Sequence, residues 1–162
     1  MQSLTPLRTF PESDHLSEHK ASPELTAAFS NQATELVCDE ARVLFQQGES
    51  EKGVYLVRGG EVILTMPISS AHSMSFRATE GSLVGLPATF SDEPYSMTAL
   101  AQSGSVFGHM DRESFLRMLV ERPMLAIDVL AILAAETRSA RIAIVDLGSR
   151  KRGLRRKATL FN

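Results

Sequence analysis

From about residue 34 to residue 110 the chain breaks into short runs in which apolar and polar positions nearly alternate. Alternation of period two is the mark of a strand with one face buried. It predicts strands over Glu35–Cys38, Arg42–Phe45, Gly53–Arg58, Val62–Met66, Met74–Thr79, Met97–Ala101 and Ser105–Met110. Turn-forming groups separate them: Gln47-Gly48-Glu49, Gly59-Gly60, Ser69-Ser70, Glu80-Gly81-Ser82 and Ser91-Asp92-Glu93-Pro94. Many short strands with a turn every eight to twelve residues or so predict an antiparallel sandwich or barrel.

The flanks follow a different pattern. Residues 1–20 are polar, proline-bearing and aperiodic, and are expected to form a loose arm. Ser22-Pro23-Glu24 then starts a short helix, with Leu25, Ala28 and Phe29 on one face. After the strands, Asp111 can cap a helix carrying Phe115, Leu116, Leu119 and Val120. Arg122-Pro123 ends it and opens a longer helix, expected to reach about Leu147. Leu125, Val129, Ile132, Ala135 or Glu136, Ser139 and Ile142 are spaced for one face of it, and Ile127, Leu130, Ala131 and Ala134 make the opposite face apolar too. A helix apolar nearly all round needs two things to pack against. One is its own domain, and the other is expected to be a second copy of the chain. Leu125, Val129, Ile132, Ser139 and Ile142 are accordingly assigned to a dimerisation helix.

Composition narrows the class. With 162 residues, 43% apolar and 22% charged, the chain suits one globular domain. The single cysteine, Cys38, excludes an internal disulfide framework and suits a reducing, cytoplasmic setting. No apolar signal core opens the sequence, and no run is long enough to span a membrane. The net charge of −2 hides an asymmetry: Arg150, Lys151, Arg152, Arg155, Arg156 and Lys157 give a tail of +6, leaving residues 1–149 at −8. Three segments follow: an arm over 1–20, a domain over 21–147 and a basic tail over 148–162. That tail, Arg150–Lys157, can touch nucleic-acid phosphates or simply remain solvated.

Two ordered motifs carry a resemblance. The first is Leu44-Phe45-Gln46-Gln47-Gly48-Glu49 followed by Val54-Tyr55-Leu56-Val57-Arg58-Gly59-Gly60-Glu61-Val62. The second is Gly81-Ser82-Leu83-Val84-Gly85, then Pro87-Ala88, then a loop into Ser96-Met97-Thr98-Ala99. With the paired helices that follow, these resemble the cyclic-nucleotide-binding domain family, the sensors of catabolite-activator-like bacterial regulators, over roughly residues 22–147. The resemblance implies an antiparallel β jelly-roll barrel (a double-stranded β-helix), mainly β with flanking helices, and a phosphate-binding cassette at Gly85–Ala88. It implies that a ligand in the barrel restrains the long helix.

The same resemblance exposes departures. The family cassette carries a glutamate for the ribose hydroxyl and, later in the loop, an arginine for the cyclic phosphate. Here Leu86 stands in the glutamate position, and Tyr95 or Ser96 in the arginine position. Pro87 removes a backbone N–H from the short cassette helix, and no arginine or lysine occurs between Arg77 and Arg112. The cassette is therefore expected to be degenerate, with a pocket of Gly85, Leu86, Pro87, Ala88, Tyr95, Ser96, Met97 and Thr98 that is more apolar and uncharged. Cyclic AMP or cyclic GMP is not expected there in the usual mode. A different small ligand, stacked on Phe90 or Tyr95 and fixed by Ser91, Ser96 or Thr98, is one reading. The other is a structural or dimerisation module with an empty pocket.

Other chemistry finds little support. His15 and His19 lie four apart in the expected arm, His72 in a hairpin tip, and His109 alone at a strand end. No nucleophile elbow or phosphate loop occurs, so no enzyme, metal or cofactor is expected. A helix-turn-helix would not fit in the residues after Leu147. The expected protein is a homodimeric, non-enzymatic sensor.

Overall fold

A computed structural model describes residues 19–70 and 72–159. Among these residues eight strands form two antiparallel sheets. The first contains β1 (Thr34–Cys38), β8 (Ser105–Met110), β3 (Val54–Gly59) and β6 (Leu83–Val84) in that order; the second contains β2 (Arg42–Phe45), β7 (Thr98–Ala101), β4 (Glu61–Ser69) and β5 (His72–Thr79). No strand pairing joins the two sheets among the described residues, so they are stacked open sheets rather than the closed barrel expected. The helices are α1 (Pro23–Ser30), α2 (Leu86–Ser91), α3 (Arg112–Glu121) and α4 (Pro123–Thr159). With 37 residues in α4 alone, the fold is mixed α and β rather than mainly β.

The molecule has three layers: helices, first sheet, second sheet. Strand β3 shows why the order is fixed. Val54 and Leu56 pack with Leu25, Phe29, Phe115 and Val129 from the helices, while Tyr55 and Val57 pack with Phe45, Val62 and Ala99 from the second sheet. A strand buried on both faces loses its polar alternation, as the run Val54-Tyr55-Leu56-Val57 does. Ser22 caps α1 as its sequence predicts: its Oγ accepts from the Leu25 amide at 3.1 Å and donates to the Asp128 carboxylate at 2.6 Å, tying α1 to α4. Asp111 caps α3 by accepting from the Ser114 amide at 2.9 Å.

Most of the expected arm lies outside the described residues. Its last residue is anchored: Lys20 Nζ donates to Thr79 Oγ1 at 2.7 Å and to Ser82 Oγ at 2.9 Å. Helix α4 runs past Leu147 through the basic segment to Thr159. Arginine and lysine are good helix formers and their charge suits a helix C-terminus, whereas the two interior glycines, Gly148 and Gly153, cost only about 1 kcal/mol each. Leu125, Val129 and Ile132, assigned to a dimer contact, instead face inward and are almost wholly buried in the chain's own core. Ser139 is half-buried and Ile142 exposed, and the outward apolar side chains include Ile127 and Leu130. Among the described residues no helix is long and apolar enough to cross a membrane.

A candidate ligand cavity between the cassette loop and the long helix

Strand β6 is only two residues long because Gly85 turns the chain directly into α2. Gly85 has φ +95°, and a Cβ there would stand 2.9 Å from the Gly53 carbonyl oxygen and 3.4 Å from the Tyr95 ring. Only glycine combines that backbone with that approach. The loop after α2 is pinned from the other side. Tyr95 N donates to Glu49 O at 3.0 Å, and Tyr95 O accepts from Gly48 N at 2.8 Å. The Tyr95 hydroxyl accepts from Lys52 N at 2.7 Å and donates to Gly53 O at 3.1 Å. Its ring stacks on Phe45, with centroids 3.7 Å apart and planes 12° from parallel. Burial pushes the phenol pKa up to about 12, so it stays neutral.

Gly53 is the hub of this arrangement. It has φ +104°, and a Cβ there would overlap the Met110 carbonyl oxygen and come within 2.8 Å of the Asp111 Cα. Both obstacles are backbone and cannot rotate away. Gly53→Ala is expected to destabilise the fold by about 4 kcal/mol or more. Gly104→Ala, at φ +80° in open space, should cost only about 1–2 kcal/mol. Equal midpoints for the two variants in urea would contradict this reading.

Between this loop and α4 lies a cavity of about 200 Å³. Of the residues expected around a pocket, Gly85, Pro87, Ala88, Tyr95, Ser96 and Met97 line it. Leu86 and Thr98 do not. Leu86 begins α2 and is fully buried on the opposite side, among Leu25, Phe29 and Val54. Thr98 turns to the chain just after β2, where its Oγ1 accepts from Gln47 N at 3.1 Å. Phe90 meets Phe115 edge to face at 6.1 Å and is not part of the wall, so the stacking role suggested for it does not hold. Ser91 donates to Pro87 O at 2.9 Å.

The remainder of the wall was not anticipated. Phe45, Leu64, Phe76, Leu83 and Val84 come from the strands, and Leu133, Glu136, Thr137 and Ala140 from α4. The last four follow a helical stripe of spacing three and four, so they share one face. Among the described residues no lysine, arginine or histidine lines the cavity. Arg77 lies elsewhere, with its Nε 3.3 Å from Glu61 Oε2. The ionisable groups on the wall are Tyr95 and Glu136. Burial pushes the Glu136 carboxyl up to about pKa 7, and no charged partner acts on it among the described residues. The expected uncharged pocket is therefore corrected: it is apolar and, among the described residues, lined by no cationic side chain and by one carboxyl. Glu136 could have been suspected from sequence, because it is an acid set into the apolar stripe of Leu125, Val129 and Ile132.

The histidines do not add a second site. His109 Nε2 lies 2.7 Å from Lys52 O, and its ring packs on Tyr55. His15 lies outside the described residues. No group of three or more His, Cys, Asp or Glu among the described residues could hold a metal ion.

A family model described as the cyclic nucleotide-binding domain matches residues 36–122, more than half of the chain. The chain belongs to this family. The match spans the strands, the cassette loop and α3. No curated protein matches this cyclic nucleotide-binding domain in sequence. Solved structures show the same fold. The catabolite activator protein of Thermus thermophilus superposes with a TM-score of 0.68 at 22% identity, covering 80% of this chain and 62% of its own. This chain thus spans less than two thirds of that protein's length. A cyclic nucleotide-binding domain from Methylobacillus flagellatus gives 0.66 at 19% identity, covering 77% and 73%. The sensor domain of the transcriptional regulator DNR from Pseudomonas aeruginosa gives 0.57 at 24%, covering 80% and 86%. At these identities the likeness is one of fold.

Proposed function

We propose that this cyclic nucleotide-binding domain is a non-enzymatic sensor whose cavity holds a small ligand other than an anionic cyclic nucleotide in the usual mode. The observation that carries the reading is a cavity walled partly by α4 and lacking any cationic side chain among the described residues. A cyclic phosphate is a permanent anion at neutral pH and needs a positive or N–H-rich cradle. Here Leu86 faces the core, Pro87 supplies no N–H, and Tyr95 spends its hydroxyl on Lys52 and Gly53. The cassette is degenerate on this reading.

The signal path follows from the wall. Leu133, Glu136, Thr137 and Ala140 belong to α4, so an occupant touches the helix directly and biases its position. The outward face of α4, with Ile127, Leu130, Ala131 and Ala134 exposed, supports pairing with a second copy. The strand order β1-β8-β3-β6 over β2-β7-β4-β5 supports a jelly-roll winding of the two sheets. A library of small apolar metabolites should contain compounds that raise the thermal midpoint, and light scattering should give twice the chain mass. No shift from any compound at millimolar concentration would favour a structural module with an empty cavity. A monomeric mass would remove the pairing.

A further inference from the structure

Resting on that reading of the cavity, we propose that its ligand is a small monocation, a protonated nitrogen on a flat apolar body, paired with the Glu136 carboxylate. Three observations converge. The volume of about 200 Å³ suits one ring with a short polar head, since an apolar cavity of about 150 Å³ accommodates benzene. The wall includes the aromatic residues Phe45, Phe76 and Tyr95, and aromatic rings attract cations. The charge-bearing end is set by α4. Glu136 enters the cavity as a carboxyl without a counter-ion among the described residues, and a buried carboxylate without a partner is costly. Next to it on the same wall, Thr137 donates its hydroxyl proton to Leu133 O at 2.9 Å, leaving its oxygen lone pairs to accept from an N–H. Once Glu136 is ionised, an anion would meet repulsion here, and a neutral ligand would leave its charge uncompensated.

The groups around Glu136 define the pH response. The strands contribute no ionisable side chain to the wall among the described residues, α2 and its loop contribute only the Tyr95 phenol, and α4 contributes Glu136 itself. The phenol stays neutral throughout the working range. Glu136 alone therefore titrates, and a cation that binds near neutral pH displaces its proton.

The experiment compares benzamidine, benzamide and benzoate, nearly equal in shape and different in charge, by calorimetry on the full chain. At pH 8 benzamidine should bind at least tenfold more tightly than benzamide, with benzoate weakest. At pH 6.5 its heat should vary with the buffer's ionisation enthalpy, showing proton release. In Glu136→Gln the advantage of benzamidine should vanish while benzamide still binds. Equal affinity of benzamidine and benzamide for the native chain would overturn the cation assignment and leave the ligand cavity standing. So would an advantage that survives in Glu136→Gln. Failure of all three probes to bind would overturn the cavity reading as well.

Discussion

Glu136→Gln is expected to stabilise the folded protein at pH 8 by roughly 3 kcal/mol and to change almost nothing at pH 4.5. The cause is the carboxyl's position on an apolar wall, where burial raises its pKa from 4.5 to about 7. Below about pH 4.5 folded and unfolded chains both hold the proton, and Glu136 carries no penalty. As the pH climbs toward 7, the unfolded chain releases the proton while the folded chain keeps it. Stability falls over that window and levels off above about pH 7. Each tenfold difference in proton affinity is worth about 1.4 kcal/mol, and glutamine removes the whole penalty because it never ionises. In a domain of this size the gain should appear as a rise in melting temperature of about 6–12 °C at pH 8. Urea unfolding of both proteins at the two pH values, at one fixed protein concentration, makes the comparison. An equal difference at both pH values would show that Glu136 does not titrate in a buried site.

The same residue shows where sequence stops informing. Arg42–Phe45 and Ser105–Met110 were legible to the residue, the first ending just before the Gly48 turn and the second at the Asp111 cap. The β4–β5 hairpin is longer than its apolar run, since its far end projects to exposed Ser69 and pairing there needs no buried face. Strand β6 was invisible as a strand, because two residues carry no period. The turn at Gly85 and the start of α2 were marked by a glycine and a proline, but not the direction of the side chains around them. Leu86 and Thr98 are next to cavity residues in sequence and point away from the cavity.

Helix α4 poses the harder problem. Its all-round apolarity implied two packing partners without saying which face met which. The structure turns Leu125, Val129 and Ile132 inward and leaves Ile127 and Leu130 outside. It also sets Glu136, an acid in that same inward stripe, beside residues of both sheets, and the local pattern that marks the face does not name those partners. Half of the site was therefore readable as a motif, and the half that sets its charge depended on tertiary docking.

The second large effect concerns cyclic nucleotides. A buried phosphate left without its cationic partner typically costs about 3–5 kcal/mol, which weakens binding by two to four orders of magnitude. The absent ribose carboxylate would add about 1.5–3 kcal/mol. Partial ionisation of Glu136 near pH 7 adds repulsion to both losses. A site of ordinary micromolar affinity would then fall to millimolar or weaker, too weak to fill at cellular concentrations of a second messenger.

Calorimetric titration of the purified chain with cyclic AMP and cyclic GMP at pH 7 tests this most directly. The cavity described here predicts no saturable heat up to millimolar nucleotide. Uptake of either nucleotide at one per chain with micromolar affinity would contradict it, since the ring phosphate would then have found a positive partner that the described residues of this wall do not offer.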